Sequence, residues 1–185
     1  MAVTTLDPNT ALIVVDLQKG VVTRQTAPYS PAAVVAKTAE LARAFRAHKL
    51  PVVLVHVTGG APGRTEQPRQ APPAPDGADL VPELDQQPSD HIVAKKSWGA
   101  FTHTGLEDHL KAQGVSQVVV AGIATAIGVE STARQAYEAG FNVTLAVDAM
   151  TDLKPETHQN SIEHIFPRLG ETGSTTDIIG LLDLR

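Results

Sequence analysis

Three apolar runs of this 185-residue chain end on residues that could do chemistry. ALIVV, residues 11–15, runs into Asp16, with Leu17 and Gln18 behind it. HIVA, residues 91–94, runs into Lys95, and VVVAGI runs into ATAIGVEST, a stretch of small side chains that opens a helical pattern. A carboxylate partly withdrawn from water has a raised pKa and serves as a general acid or base. An ammonium near it would hold an anionic substrate or set the charge state of the acid. Backbone N–H groups left uncovered at a helix start favour negative charge. Each feature also has a plainer reading: Asp16 capping the next turn, Lys95 as ordinary surface charge, and the Gly122 to Gly128 stretch as a tight, closely packed turn. Lys96 reads as solvated.

Other chemistries are excluded by absence. The chain has no Cys, which removes disulfides, thiolate metal sites and cysteine nucleophiles together. No GxSxG surrounds Ser131, so it is not expected to be a nucleophile, and Gly122 and Gly128 do not form a GxGxxG dinucleotide fingerprint. The histidines lack HExxH or related ligand spacing, and His56, on an apolar run, reads as a packed core residue. No metal and no cofactor are expected.

These residues need elements to position them. Ala11–Val15, Val52–Val57, His91–Ala94, Val118–Ala121 and Val143–Val147 read as strands, with a weaker sixth near Glu171–Ser174. They are near-continuously apolar and alternate with helical patterns, which predicts an α/β fold: a three-layer α/β/α Rossmann-like domain whose six-stranded, mainly parallel sheet is flanked by helices. In such a sheet ligands bind beyond the carboxyl ends of the strands, where Asp16, Lys95 and the 123–128 segment all fall. Ser30 followed by Pro31 predicts a helix start, with Val34, Leu41 and Phe45 on one face. Thr104 and Glu107 read as a capping box for a helix closed by Gly114. A further helix is expected over Val129–Ala139, with Glu130 and Arg134 paired and Gly140 as its stop. Pro155 starts another that runs to about Leu169, and Thr176–Leu184 forms a last short one. The segment from Pro62 to Pro88, rich in proline and glycine, reads as a long loop, either a connector or a lid or interface arm.

Composition bounds the setting. With 15 Lys+Arg against 20 Asp+Glu the net charge is −5, and there are no basic runs. Nucleic acid and anionic membranes are therefore not expected partners. No apolar stretch approaches the length of a membrane span, and no leader pattern precedes the first strand. A single cytoplasmic domain over residues 1–185 is expected, with a core of Val, Leu, Ile and Ala, because the chain holds only one Trp, two Tyr and four Phe.

Taken together, ALIVVDLQ, VAKKSWGAF, VVVAGIATAIGVESTARQAYEAG and FNVTLAVDAMTD resemble the isochorismatase-like hydrolase superfamily, which includes nicotinamidases and other cysteine hydrolases. The resemblance spans nearly the whole chain and implies a homo-oligomer, dimer or larger, acting on a small molecule. In its cysteine hydrolases an Asp, a Lys and a Cys form the triad; the first two match Asp16 and Lys95, and the third falls on Gly128. The resemblance also implies a non-proline cis peptide between Ile123 and Ala124. Isochorismate hydrolases of this superfamily resemble the chain in having Gly there, within an Ile-Gly pair like Ile127 and Gly128. Their reaction, hydrolysis of a vinyl ether with release of pyruvate, needs no nucleophilic side chain.

The expected site is therefore Asp16, Lys95 and Gly128 for catalysis, with Lys95 binding a substrate carboxylate and tuning Asp16. Gln18, Ile123, Ala124, Thr125 and Ile127 are expected to bind substrate, and backbone N–H groups from Ala124 to Gly128 to stabilise the intermediate. Trp98 and Phe101 are expected to close the pocket. Two alternatives stay open: a Cys-lacking relative that serves as a binding or assembly protein, and a cysteine amidohydrolase whose nucleophile was replaced by Gly. VHVTGGAP lacks the Asp and His set with which nicotinamidases bind a metal.

Overall fold

Four largely apolar, mostly buried runs pair side by side at the centre of one six-stranded sheet, since strands apolar on both faces are stable only when covered on both sides. The computed structural model describes residues 3–66 and 74–184; part of the Pro62–Pro88 loop lies outside them. The strands are β1 (Thr10–Val15), β2 (Val52–Val57), β3 (His91–Lys95), β4 (Gln117–Ile123), β5 (Asn142–Thr151) and β6 (Glu171–Gly173). Their order is β3-β2-β1-β4-β5-β6, and every pairing is parallel.

The helices are α1 (Lys19–Val22), α2 (Pro31–Ala47), α3 (Leu106–Ala112), α4 (Glu130–Glu138), α5 (Pro155–Asn160), α6 (Phe166–Leu169) and α7 (Thr175–Asp183). One face of the sheet, with Leu12, Val14, Leu54 and Val119, packs on Val34, Leu41 and Phe45 of α2 and on Ile178 and Leu182 of α7. The other, with Ile13, Val15, Val53 and Val120, packs on Leu106 and Leu110 of α3, Ala133 and Ala136 of α4 and Phe166 of α6. Alternate residues of each strand thus feed two separate apolar layers, which makes the three-layer fold. No helix among the described residues is long and apolar enough to cross a membrane.

Several boundaries differ from the sequence reading, each for a local reason. Ser30 caps α2 as expected, its hydroxyl accepting from the Ala33 N–H. Thr104 and Glu107 do not form a capping box: Gly105, at φ +72°, is the residue before α3, the Thr104 hydroxyl donates to the Ala100 carbonyl, and Glu107 pairs with Lys111 instead. A capping box does occur between Ser174 and Asp177 at the start of α7. α4 is preceded by a π-helical turn, Thr125–Val129, so the helical path begins four residues earlier than Val129. β5 runs beyond Val147 to Thr151, with a shift of register against β4 between Val120 and Gly122.

Candidate active site

β1 delivers Asp16 to the carboxyl end of the sheet, and there the chain leaves the strand. Asp16 has φ +55°, a left-handed conformation that Asp tolerates better than most residues. Strand alternation would send Val15 and Asp16 to opposite faces; the turn at Asp16 brings both toward Gly128. A Cβ placed on Gly128 would lie 2.9 Å from Val15 Cγ1 and 3.1 Å from Asp16 Oδ2. Asp16 is buried, 7% exposed.

Lys95 reaches Asp16 from two strands away. With β2 between β3 and β1, the gap is about 10 Å, which only a long side chain crosses. Its Nζ donates to Asp16 Oδ2 at 2.8 Å, to the Ser97 carbonyl at 3.0 Å and to the Trp98 carbonyl at 2.9 Å. An ammonium has three N–H donors, and all three are engaged inside the protein. The expectation that Lys95 binds a substrate carboxylate is corrected accordingly: the buried ammonium serves Asp16 and the 97–98 turn.

Burial nonetheless outweighs this pairing. Withdrawal from water pushes the Asp16 carboxyl up from 3.8 to about 6, although Lys95 and, more weakly, His56 pull it down. Asp16 Oδ1 is buried without a hydrogen-bond partner. A carboxyl so placed is half protonated near pH 6 and about a tenth protonated at pH 7, and has an oxygen free for a ligand.

The third part of the site is the turn after β4. Gly122, at φ +129°, is required here, because a Cβ would fall 2.1 Å from the Val15 carbonyl oxygen. The Ile123–Ala124 peptide is cis, at the position the family resemblance implies. The π-helical turn then places Gly128 against Asp16. Two of the amides expected, from the small side chains, to be free for a ligand are engaged within the protein. The Ala126 N–H donates to Asp152 Oδ2 at 2.6 Å and the Ile127 N–H to the Ala124 carbonyl at 3.1 Å.

The other expected residues divide. Ile123 is in the apolar layer beneath α2, and Thr125 is fully buried with its hydroxyl 2.8 Å from His158 Nδ1. Gln18 is turned inward: its amide accepts from the Val57 N–H and donates to the Val57 and Gly77 carbonyls, tying β2 to the loop before β3. Phe101 packs near Phe141, the residue before β5, in the layer beneath α4. Trp98 is 67% exposed as a whole residue, and its carbonyl is the part that meets Lys95.

His56, expected to be a packed core residue, is only half-buried near the end of β2, with Nδ1 2.8 Å from the Ala78 carbonyl. Two further residues near the site lie outside the set expected from sequence. Asp152 and His158 contact the turn that carries Gly128. Asp152 follows the last residue of a strand, the very signal that marked Asp16 and Lys95, but polar Asp148 within β5 hid where that strand ends. Among the described residues, no group of three His, Asp or Glu side chains could hold a metal ion.

The profile of the isochorismatase domain matches residues 10–177. The isochorismatase family protein YecD of Escherichia coli O157:H7 is 41% identical over 181 residues, covering 94% of this chain and 96% of that protein. The isochorismatase family protein YwoC of Bacillus subtilis (strain 168) is 37% identical over 179 residues, 92% of each. Among solved structures, an isochorismatase family protein from Burkholderia thailandensis shares 42% identity and a TM-score of 0.93, over 97% of this chain and 98% of that one.

Proposed function

The chain belongs to the isochorismatase family, a family of hydrolases, and from that premise we propose that it hydrolyses a small anionic substrate such as the vinyl ether of isochorismate, using Asp16 as the acid. One observation carries this reading: a buried carboxyl with an unpartnered oxygen lies against Gly128, which has no side chain to attack anything.

Protonated Asp16 gives its proton to the methylene carbon of the enolpyruvyl group, leaving an oxocarbenium ion. Water adds to the cationic carbon and its proton returns to Asp16. The resulting hemiketal collapses as its hydroxyl proton passes to the departing oxygen and the C–O bond breaks, releasing pyruvate and a dihydrodiol. Lys95 holds Asp16 in place and stops its pKa from rising further. Fixed dipoles around a developing charge are commonly worth several kcal/mol, about 3 for each well-aimed donor. With the Ala126 and Ile127 amides engaged elsewhere, that contribution falls to the remaining amides of the 124–128 turn. The same reading takes the protein as one cytoplasmic domain over residues 1–185 that assembles as a homo-oligomer.

The engaged amides are also what a family member without hydrolytic activity, serving as a binding protein, would show. Replacement of an original Cys fits less well, since a Cβ at position 128 meets Val15 Cγ1 at 2.9 Å and Val15 would have to move. The test is release of pyruvate from isochorismate by the purified protein, abolished in Asp16→Ala. No release at any protein concentration would leave the binding reading standing. Amide hydrolysis gained by Gly128→Cys would favour replacement.

A further inference from the structure

Two buried polar side chains near the site, Asp152 and His158, each place a hydrogen bond on one of two consecutive residues of one turn. Asp152, 3% exposed, accepts from the Ala126 N–H through Oδ2 and from the Leu153 N–H through Oδ1, at 2.6 and 2.7 Å. His158, also 3% exposed, shares a hydrogen bond of 2.8 Å with the Thr125 hydroxyl. The segment before α2 backs them up. Ala27 exchanges two backbone hydrogen bonds with Asp152, the Thr151 hydroxyl bonds both ways with the Tyr29 backbone, and the Tyr29 ring stands edge-on to His158.

Burying a carboxylate and an imidazole is unfavourable unless their partners are well placed. Here those partners lie two and three residues before Gly128, where an added Cβ would come within 3.1 Å of Asp16 Oδ2. We propose that Asp152 and His158 are positioning residues: they clamp the 124–128 turn against Asp16 and so keep water away from its carboxyl. The inference rests on reading Asp16 as the acid of the site, but its test needs no substrate, so it fails or stands apart from the reaction.

The argument is one of distance. Gly128 has no side chain to bridge a gap, so its seal on Asp16 depends on where the turn sits. Without the Thr125–His158 hydrogen bond the turn relaxes outward, water reaches Asp16 and its pKa falls toward the ordinary carboxylate value. Lys95 and His56 pull on Asp16 directly, and titratable Asp152 and His158 face the turn beside it. Thr125→Val alters none of the four, so a shift in that variant reports water access.

The experiment follows the Asp16 carboxyl by carbon-13 NMR across pH in the intact chain and in Thr125→Val, His158→Leu and Asp152→Ala. Thr125→Val and His158→Leu remove the same hydrogen bond from opposite sides. Both are expected to lower the Asp16 midpoint by about one pH unit, a tenfold rise in its acidity, and His158→Asn, which keeps a polar partner, to restore most of it. Asp152→Ala should shift it at least as far. If Asp152→Ala fails to fold, the isosteric Thr125→Val decides. Folded Thr125→Val and His158→Leu proteins with the Asp16 midpoint unchanged would overturn the proposal.

Discussion

β1 and β4 carry buried polar groups at both ends and treat them in opposite ways. At the amino end Gln117 of β4 is fully used: its Oε1 accepts from the Asp7 N–H at 2.6 Å and the Thr10 hydroxyl at 2.9 Å, and its Nε2 donates to the Thr144 hydroxyl at 3.0 Å. Ser116 and Asn142 close the cluster by donating to Asp7 Oδ2. At the carboxyl end of the same strands, Asp16 has one oxygen on Lys95 and the other on nothing. A satisfied polar cluster fixes strand register and leaves no group to react. A buried charge with one partner too few is poised for chemistry at a cost to stability. The contrast separates polar groups that hold this sheet together from those the sheet holds for a ligand.

Lys95→Met strains the comparison most. It leaves the Asp16 carboxylate buried without a counter-ion, and breaking a buried pair in this way costs about 3–5 kcal/mol. Chemical denaturation should show that loss near neutral pH, and less of it in acid, where the carboxyl is protonated.

Next in size is the pH dependence of Asp16 itself. Its pKa is 3.8 in the ordinary state and about 6 when folded, so the folded chain holds this proton over a range in which the unfolded chain has released it. The contribution favours folding fully below about pH 4 and is lost as pH rises through 6, amounting to about 3 kcal/mol. Denaturation midpoints for the intact chain should carry this slope between pH 4 and 6, and those of Asp16→Asn should lack it.

The smallest effect lies at the amino end. Gln117→Leu removes the side-chain acceptor of the Asp7 N–H and one of the two acceptors around the Thr10 hydroxyl, which keeps the Asp7 carbonyl, at a cost of about 1–3 kcal/mol. Denaturation should report that loss while the Asp16 midpoint, read by NMR, stays where it was. If Gln117→Leu moved Asp16, the two ends would not be independent and the comparison would break.

The poised end was the more legible of the two. Apolar runs interrupted by an acid or a lysine stand out in a chain with so few charges in its strands, and Asp16, Lys95 and the 123–128 turn come together as strand ends should. Their hydrogen bonds were not legible, because they depend on side chains reaching across strands: the three acceptors around Lys95 Nζ lie just after β1 and in the turn after β3. The inward turn of Gln18 is illegible for the same reason, being set by the Val57 backbone and Gly77. Thr104 was misread because the left-handed Gly105 moved the helix start past it. Asp152 and His158 escaped notice because a register shift prolongs β5 through polar Asp148, whose carboxylate accepts from the N–H and hydroxyl of Thr175.

The central claim, that protonated Asp16 is the acid of the site, is tested most directly by the pH dependence of kcat/KM for pyruvate release from isochorismate. The account predicts a level profile below about pH 6 and a tenfold fall for each further pH unit as Asp16 loses its proton, with no measurable release by Asp16→Asn. A rate that stays level from pH 6 to 8, or release retained by Asp16→Asn, would contradict it.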